Sequence, residues 1–327
     1  MSLPEALVEA LRTVRVDVAE STACVGKHEI RADSPHELRR LLSAALYREL
    51  HTGQGDWRPG TSRDLVDEAF EARLRVAVPH SHTLVGASVG EVFDDVVVVE
   101  LDGVRVRLPV AGVAGVTAGQ DVQLQVDCVR PRLSPGFLLV DGSAGPGLGD
   151  GPVLRVYVNV QTADAAPEVL GVTLEALERL AVPYRAKITS VRAGLPRRDA
   201  AVVYLGRRAW HAAAVVADAV AQVAGRGGEV SAYARRLGPG VSMAWEPADT
   251  RPGYRGLSFG EHRSLVISTA LVENAKNISL SPEAAVAEQF TIAGIDPRTP
   301  FRDVTSPDLT DTLTAVPTNR QFEEFHR

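Results

Sequence analysis

Between about Leu84 and Val140 the apolar residues of this chain return at every second position, whereas on both sides they return at helical spacing. A period of two builds a half-buried strand and a period near 3.6 builds an amphipathic helix, so the alternation commits the chain to an α+β class. Val96–Leu101, then Asp102-Gly103, then Val104–Leu108 reads as strand, two-residue turn and strand, because Asp-Gly supplies the positive φ values of a tight hairpin. Val122–Val126 and Phe137–Val140 add further strands to a small antiparallel unit. Upstream, Leu3, Leu7, Leu11 and Val14 recur as on a helix, and a second helix begins with Ser34 as cap, Pro35 at its first position and Glu37 at its third.

A glycine- and proline-rich stretch over residues 141–152 separates this first part from a second. It precedes a strand, whereas phosphate-binding glycine fingerprints follow one and open a helix, so it reads as a boundary loop. The second part runs strand Val153–Val160, helix Ala165–Leu180, strands Tyr184–Val191 and Ala200–Leu205, helix Ala209–Ala224, a strand over Val241–Trp245 and a helix from Glu261. The expected organisation is a helical segment over 1–60, an antiparallel β-unit over 61–150, and an α+β catalytic domain over 151–327 whose mixed sheet is flanked by helices.

Charge narrows the function. The 327 residues carry a formal charge of −6, which disfavours a nucleic-acid binder because such a protein needs a basic face. The 2 cysteines, Cys24 and Cys128, make neither a disulfide framework nor a metal site and read as small buried hydrophobes of a reducing compartment. The N-terminus has no basic and apolar signal pattern, so a cytoplasmic location is expected. Among 35 basic residues only Lys27, Lys187 and Lys276 are lysine. Arginine does not deprotonate in proteins and lysine does once desolvated among like charges, so each lysine is a candidate base.

Cations gather in the second part. Arg155-Val-Tyr157-Val-Asn159 alternates its polar residues onto one strand face, and Arg185 and Lys187 share a face of the next strand. Arg197-Arg198 opens a third strand, and Tyr254-Arg255-Gly256 leads to His262-Arg263. A face holding Arg155, Lys187, Arg198 and Arg255 in an acidic protein fits a bound phosphate. The same arginines could instead pair with carboxylates at the rim.

Three segments resemble the HopA-type effector family: Trp57-Arg-Pro-Gly60 after Tyr47-Arg-Glu-Leu-His51, the Arg155–Val160 strand, and Tyr184–Ile188 followed by Asp199–Gly206. That family joins a bacterial type III effector with proteins of peptide natural-product clusters. Its members in class V lanthipeptide and thioamitide clusters are similar to phosphoserine/phosphothreonine lyases. The resemblance implies an enzyme, a carbon–oxygen lyase. It would eliminate phosphate from phosphoserine or phosphothreonine of a ribosomal precursor peptide, leaving dehydroalanine or dehydrobutyrine. It also implies a partner kinase (phosphotransferase) and a separate cyclase, with no metal or organic cofactor.

On that reading Lys187 is the base and Tyr157 or His262 the acid. Arg155, Arg198, Arg255 and Arg263 hold phosphate, and Asn159, Tyr204 and Trp57 contact the substrate. A more distant likeness to phosphothreonine lyase effectors places a histidine where this chain has Tyr157, so the acid is open. The competing expectations are a non-catalytic partner that binds the precursor or scaffolds the kinase, an effector acting on host proteins, and another phosphate-ester enzyme. Strand edges able to accept a peptide as an added strand suit the first of these.

Overall fold

The computed structural model describes residues 2–54, 61–101, 103–109, 115–149, 151–277 and 279–309. Its centre is a seven-stranded sheet ordered β13-β14-β10-β12-β11-β9-β8. In chain order these strands are β8 (Val129–Ser134), β9 (Phe137–Asp141), β10 (Leu154–Val160), β11 (Arg185–Thr189), β12 (Arg197–Leu205), β13 (Arg235–Gly238) and β14 (Val241–Trp245). Every ladder in the sheet is antiparallel, so the expected mixed sheet is replaced by one built from hairpins and antiparallel returns.

Alternation along β10 decides the layering. Leu154, Val156, Val158 and Val160 join Val203, Leu205 and Ile188 beneath α4 (Ala165–Arg179) and α5 (Ala212–Ala219). The other face carries Arg155, Tyr157 and Asn159, and part of it is roofed by α2 (Pro35–Leu46) and α6 (Phe259–Lys276). Ser34 caps α2 by accepting from the Glu37 amide, as its sequence indicates. Ser258 and Glu261 close a reciprocal capping box that fixes where α6 begins.

Two expected regions take a different form. Residues 3–52 are not helical throughout: α1 (Glu5–Leu11) is followed by β1 (Val14–Asp17), β2 (Thr22–Val25) and β3 (His28–Arg31) in a three-stranded antiparallel sheet. Val14 and Val16 alternate with Arg15 and Asp17, and Gly26 turns the chain with φ +59°, so period two wins there. Within 61–150, α3 (Glu68–Val76) precedes a four-stranded sheet of β4 (His82–Val92), β5 (Val96–Leu101), β6 (Val104–Pro109) and β7 (Asp121–Asp127), ordered β6-β5-β4-β7. β8 and β9 leave that unit and enter the seven-stranded sheet, with β9 pairing along β11. The sheet therefore spans the expected boundary near residue 150.

Candidate active site

Register places the polar residues in rows. Across the sheet Asp141, Arg185, Tyr204, Arg155 and Ala244 stand opposite one another in turn. The next row is Arg130, Leu139, Lys187, Val202, Tyr157 and Ser242. Opposed residues of a ladder point to the same side, so these side chains share one face. Lys187 stands in its middle. Its Nζ lies 4.5 Å from the ring centre of Phe137 and 5.8 Å from that of Tyr204, and among the described residues no carboxylate bonds it.

Around Lys187 lie the paired charges. Arg155 donates both Nε and Nη2 to Glu246 and stacks 5.0 Å over Tyr204. Arg197 donates to Asp199 at 2.7 and 2.9 Å and shares the Phe137 ring at 5.2 Å. The pairing of β10 with β12 is irregular between Val158 and Val160, and at that end of β12 Arg197 stacks on Phe137 while Asp199 faces His51. Arg130 and Arg185 both bond the buried Asp141. Four arginines, Arg130, Arg155, Arg185 and Arg197, thus pair with three carboxylates, Asp141, Asp199 and Glu246, and Lys187 is a fifth cation on the face.

Beside this face a six-residue π-helix, Tyr47–Thr52, continues α2. The wider turn drops Tyr47 against Arg197 and His51 against Asp199, with His51 Nε2 3.7 Å from the carboxylate. His51 Nδ1 lies 2.9 Å from Ser231 Oγ, and its ring is enclosed by Tyr47, Tyr157, Tyr233 and Phe259. Burial pulls the imidazole down to about 4 against the attraction of Asp199, so it is neutral at pH 7. Burial alone would raise Asp199; Arg197, then His51 and Lys187, hold it at about 2. π-helical turns are rare and are frequently found at functional sites.

The sequence-derived candidates divide on this geometry. Lys187, Arg155, Tyr157 and Tyr204 come together. Tyr157 is fully enclosed, its hydroxyl meets no partner among the described residues, and burial pushes its ionisation well above the usual tyrosine range.

His262 and Arg263, expected as acid and phosphate ligand, are fully buried on the inner side of α6 and serve packing instead. Arg263 donates to Pro300 O, Asp303 and His262 Nδ1, so Nδ1 is the acceptor and Nε2 carries the hydrogen that His262 gives to Asp249. Burial and Arg263 together keep that imidazole uncharged. Asn159 is also structural: its amide donates to Glu229 O and accepts from Gln161.

Arg198 donates to Glu49 O at the π-helix and lines a separate cleft of about 640 Å³ with Glu229, Arg235 and Arg298. Arg255 is exposed on the turn before α6. Trp57 lies outside the described residues. An open groove of about 620 Å³ starts at Phe137 and runs past Leu65, Val66, Pro131 and Ser190, so the edge of the face has room for a flanking chain.

The sequence does not single out Glu246, Arg130 or Asp141 and reads Phe137 only as the start of a strand. Tyr47, His51 and Asp199 enter only within the segments that carry the family resemblance, and Arg185 and Arg197 only as neighbours of expected site residues, with no role assigned. Arg185 carried a signal, its i, i+2 relation to Lys187. Arg130 did not, because β8 is interrupted by Pro131 and irregular in register.

The HopA1 effector protein family matches residues 128–302. An effector protein from Pseudomonas syringae pv. tomato strain DC3000 is similar in structure at 14% identity and a TM-score of 0.48, over 84% of this chain and 91% of that one. A second effector protein, from Pseudomonas syringae pv. syringae strain 61, aligns at 12% identity and a TM-score of 0.47, over 82% and 94%. No curated protein matches the chain.

Proposed function

The chain belongs to the HopA1 effector protein family, and from that membership and the geometry of the basic face we propose that it is a phosphopeptide lyase. The observation that carries the reading is Lys187, a lysine among arginines, held between two aromatic rings on a face where cations outnumber carboxylates. Its substrate is a phosphorylated serine or threonine of a ribosomal precursor peptide, phosphorylated by a partner kinase. A cyclase then consumes the alkene.

Lys187 in its neutral form takes the Cα proton. The electron pair left on Cα forms the Cα=Cβ bond as the Cβ–O bond breaks, and phosphate departs with the electron pair of the broken Cβ–O bond on its oxygen. Guanidinium groups stabilise the departing dianion by charge-assisted hydrogen bonds. The acid role passes from His262, whose donors are committed, and from the enclosed Tyr157 to Tyr204. That tyrosine is half-buried, with its ring beside both Arg155 and Lys187. The groove at Phe137 gives the residues flanking the phosphorylated position somewhere to lie.

Lys187→Arg keeps the charge and removes the removable proton. It is expected to retain phosphopeptide binding and to lose elimination by ~10² to 10⁴-fold. Lys27→Arg and Lys276→Arg serve as controls, Lys276 being tied to Glu273 on the exposed side of α6. Binding and elimination measured side by side decide the matter: near-normal elimination by Lys187→Arg would remove lysine as the base.

A further inference from the structure

Two arginines converge on one fully buried carboxylate. Arg185 donates to Asp141 from Nε at 2.6 Å and Nη2 at 3.2 Å, and Arg130 donates from Nε at 3.1 Å. One guanidinium neutralises one carboxylate, so the second leaves an uncompensated positive charge at the sheet surface. Both side chains keep more than a quarter of their surface exposed, 29% for Arg130 and 28% for Arg185. Both Nη groups of Arg130 and Nη1 of Arg185 meet no acceptor among the described residues.

The placement gives that charge a use. Arg185 precedes Lys187 by two residues on β11, about 7 Å along the strand. Arg130 lies in the row of Lys187, two strands away across Leu139, about 10 Å. Three cations from two strands therefore surround one patch of a single face. Asp141 fixes Nε of both guanidiniums and Nη2 of Arg185, which leaves Nη1 of Arg185 and both Nη groups of Arg130 as open donors. Planar donors set in this way match the oxygens of a phosphate monoester.

We propose that Arg130 and Arg185, aligned by Asp141, form the seat of a phosphate monoester dianion whose carbon side faces Lys187. The assignment of the ester to a peptide rests on the lyase reading above; the anion seat itself does not. Arg198, whose guanidinium faces the other cleft, and Arg255, on the turn before α6, lie outside this seat.

The test is calorimetric titration of the full-length protein with inorganic phosphate and, separately, with a short phosphoserine peptide. Arg130→Gln and Arg185→Gln are each expected to weaken both ligands tenfold or more. Arg185→Lys, which keeps charge without the fork, should fall between. Arg198→Gln and Arg255→Gln should stay within about twofold of the wild type.

Each single variant leaves the other guanidinium on Asp141, and a thermal melt checks that the fold is kept. Unchanged binding in folded Arg130→Gln and Arg185→Gln, or a wild type that binds neither ligand, overturns the seat. Binding of both ligands that is weakened tenfold or more in Arg130→Gln and Arg185→Gln, without any elimination by the wild type, upholds the seat and removes the lyase reading.

Discussion

His51 carries an imidazole into the core, and its surroundings dictate a pH dependence. In the folded chain it titrates at about 4 because burial disfavours its charge. Arg197, Arg155 and Arg198 add to that effect and Asp199 opposes it. In the unfolded chain it titrates near 6.5, so as pH falls below 6.5 the unfolded state takes up a proton that the folded state refuses. Stability is therefore full above pH 6.5 and is lost progressively as pH falls toward 4, by on the order of 3 kcal/mol. Thermal melts across that window should fall steeply for the wild type. They should flatten for His51→Asn, with a residual slope from His262, whose proton affinity is also lowered by burial. Equal slopes in the two proteins would show that His51 is charged in the fold.

Individual residues also show what was legible. Lys187 stood out by rarity and strand position, and the structure puts it at the centre of the face. His262 and Arg263 looked like site residues because they are polar. They are buried partners within α6, a role that depends on Asp249, Pro300 and Asp303, distant in sequence or on irregular chain.

At the scale of elements, the α6 N-terminus reaches His51 through a missing side chain. A Cβ on Gly260 would overlap the His51 ring, whereas Gly228 has nothing within 4 Å. Gly260→Ala must displace either α6 or the π-helix, a form of overpacking that costs about 1–3 kcal/mol. It should lower the melting temperature and reduce elimination together, while Gly228→Ala leaves both near wild type. A Gly260→Ala protein with unchanged stability would mean that α6 and the π-helix are not in such contact.

The β10 and β14 segments were readable because alternation runs their whole length, and α6 was readable over 261–272, although the helix begins at Phe259 and ends at Lys276. The π-helix was not. Tyr47–Thr52 continues the pattern of α2, and the wide turn is selected by contacts to Arg197, Asp199 and Ser231 that no local pattern contains. The irregular register of β12 is hidden for the same reason: it is a property of pairing with β10.

Over the whole molecule the site is a product of long-range assembly. β8 and β9 come from before the glycine-rich connector and β10 to β14 from after it. The basic face needs both: Arg130, Phe137 and Asp141 from one side, Arg155, Lys187 and Arg197 from the other. The family match begins at residue 128, immediately before β8, and ends at 302, so it contains the entire seven-stranded sheet. Among the described residues no helix is long and apolar enough to cross a membrane. The central claim is a β-elimination, and mass measurement of the peptide product tests it most directly. A short phosphoserine peptide, incubated with the full chain, should lose the elements of phosphoric acid and become able to add a thiol. Return of the same peptide as plain serine, with phosphate released by water, would contradict elimination and make the protein a phosphatase.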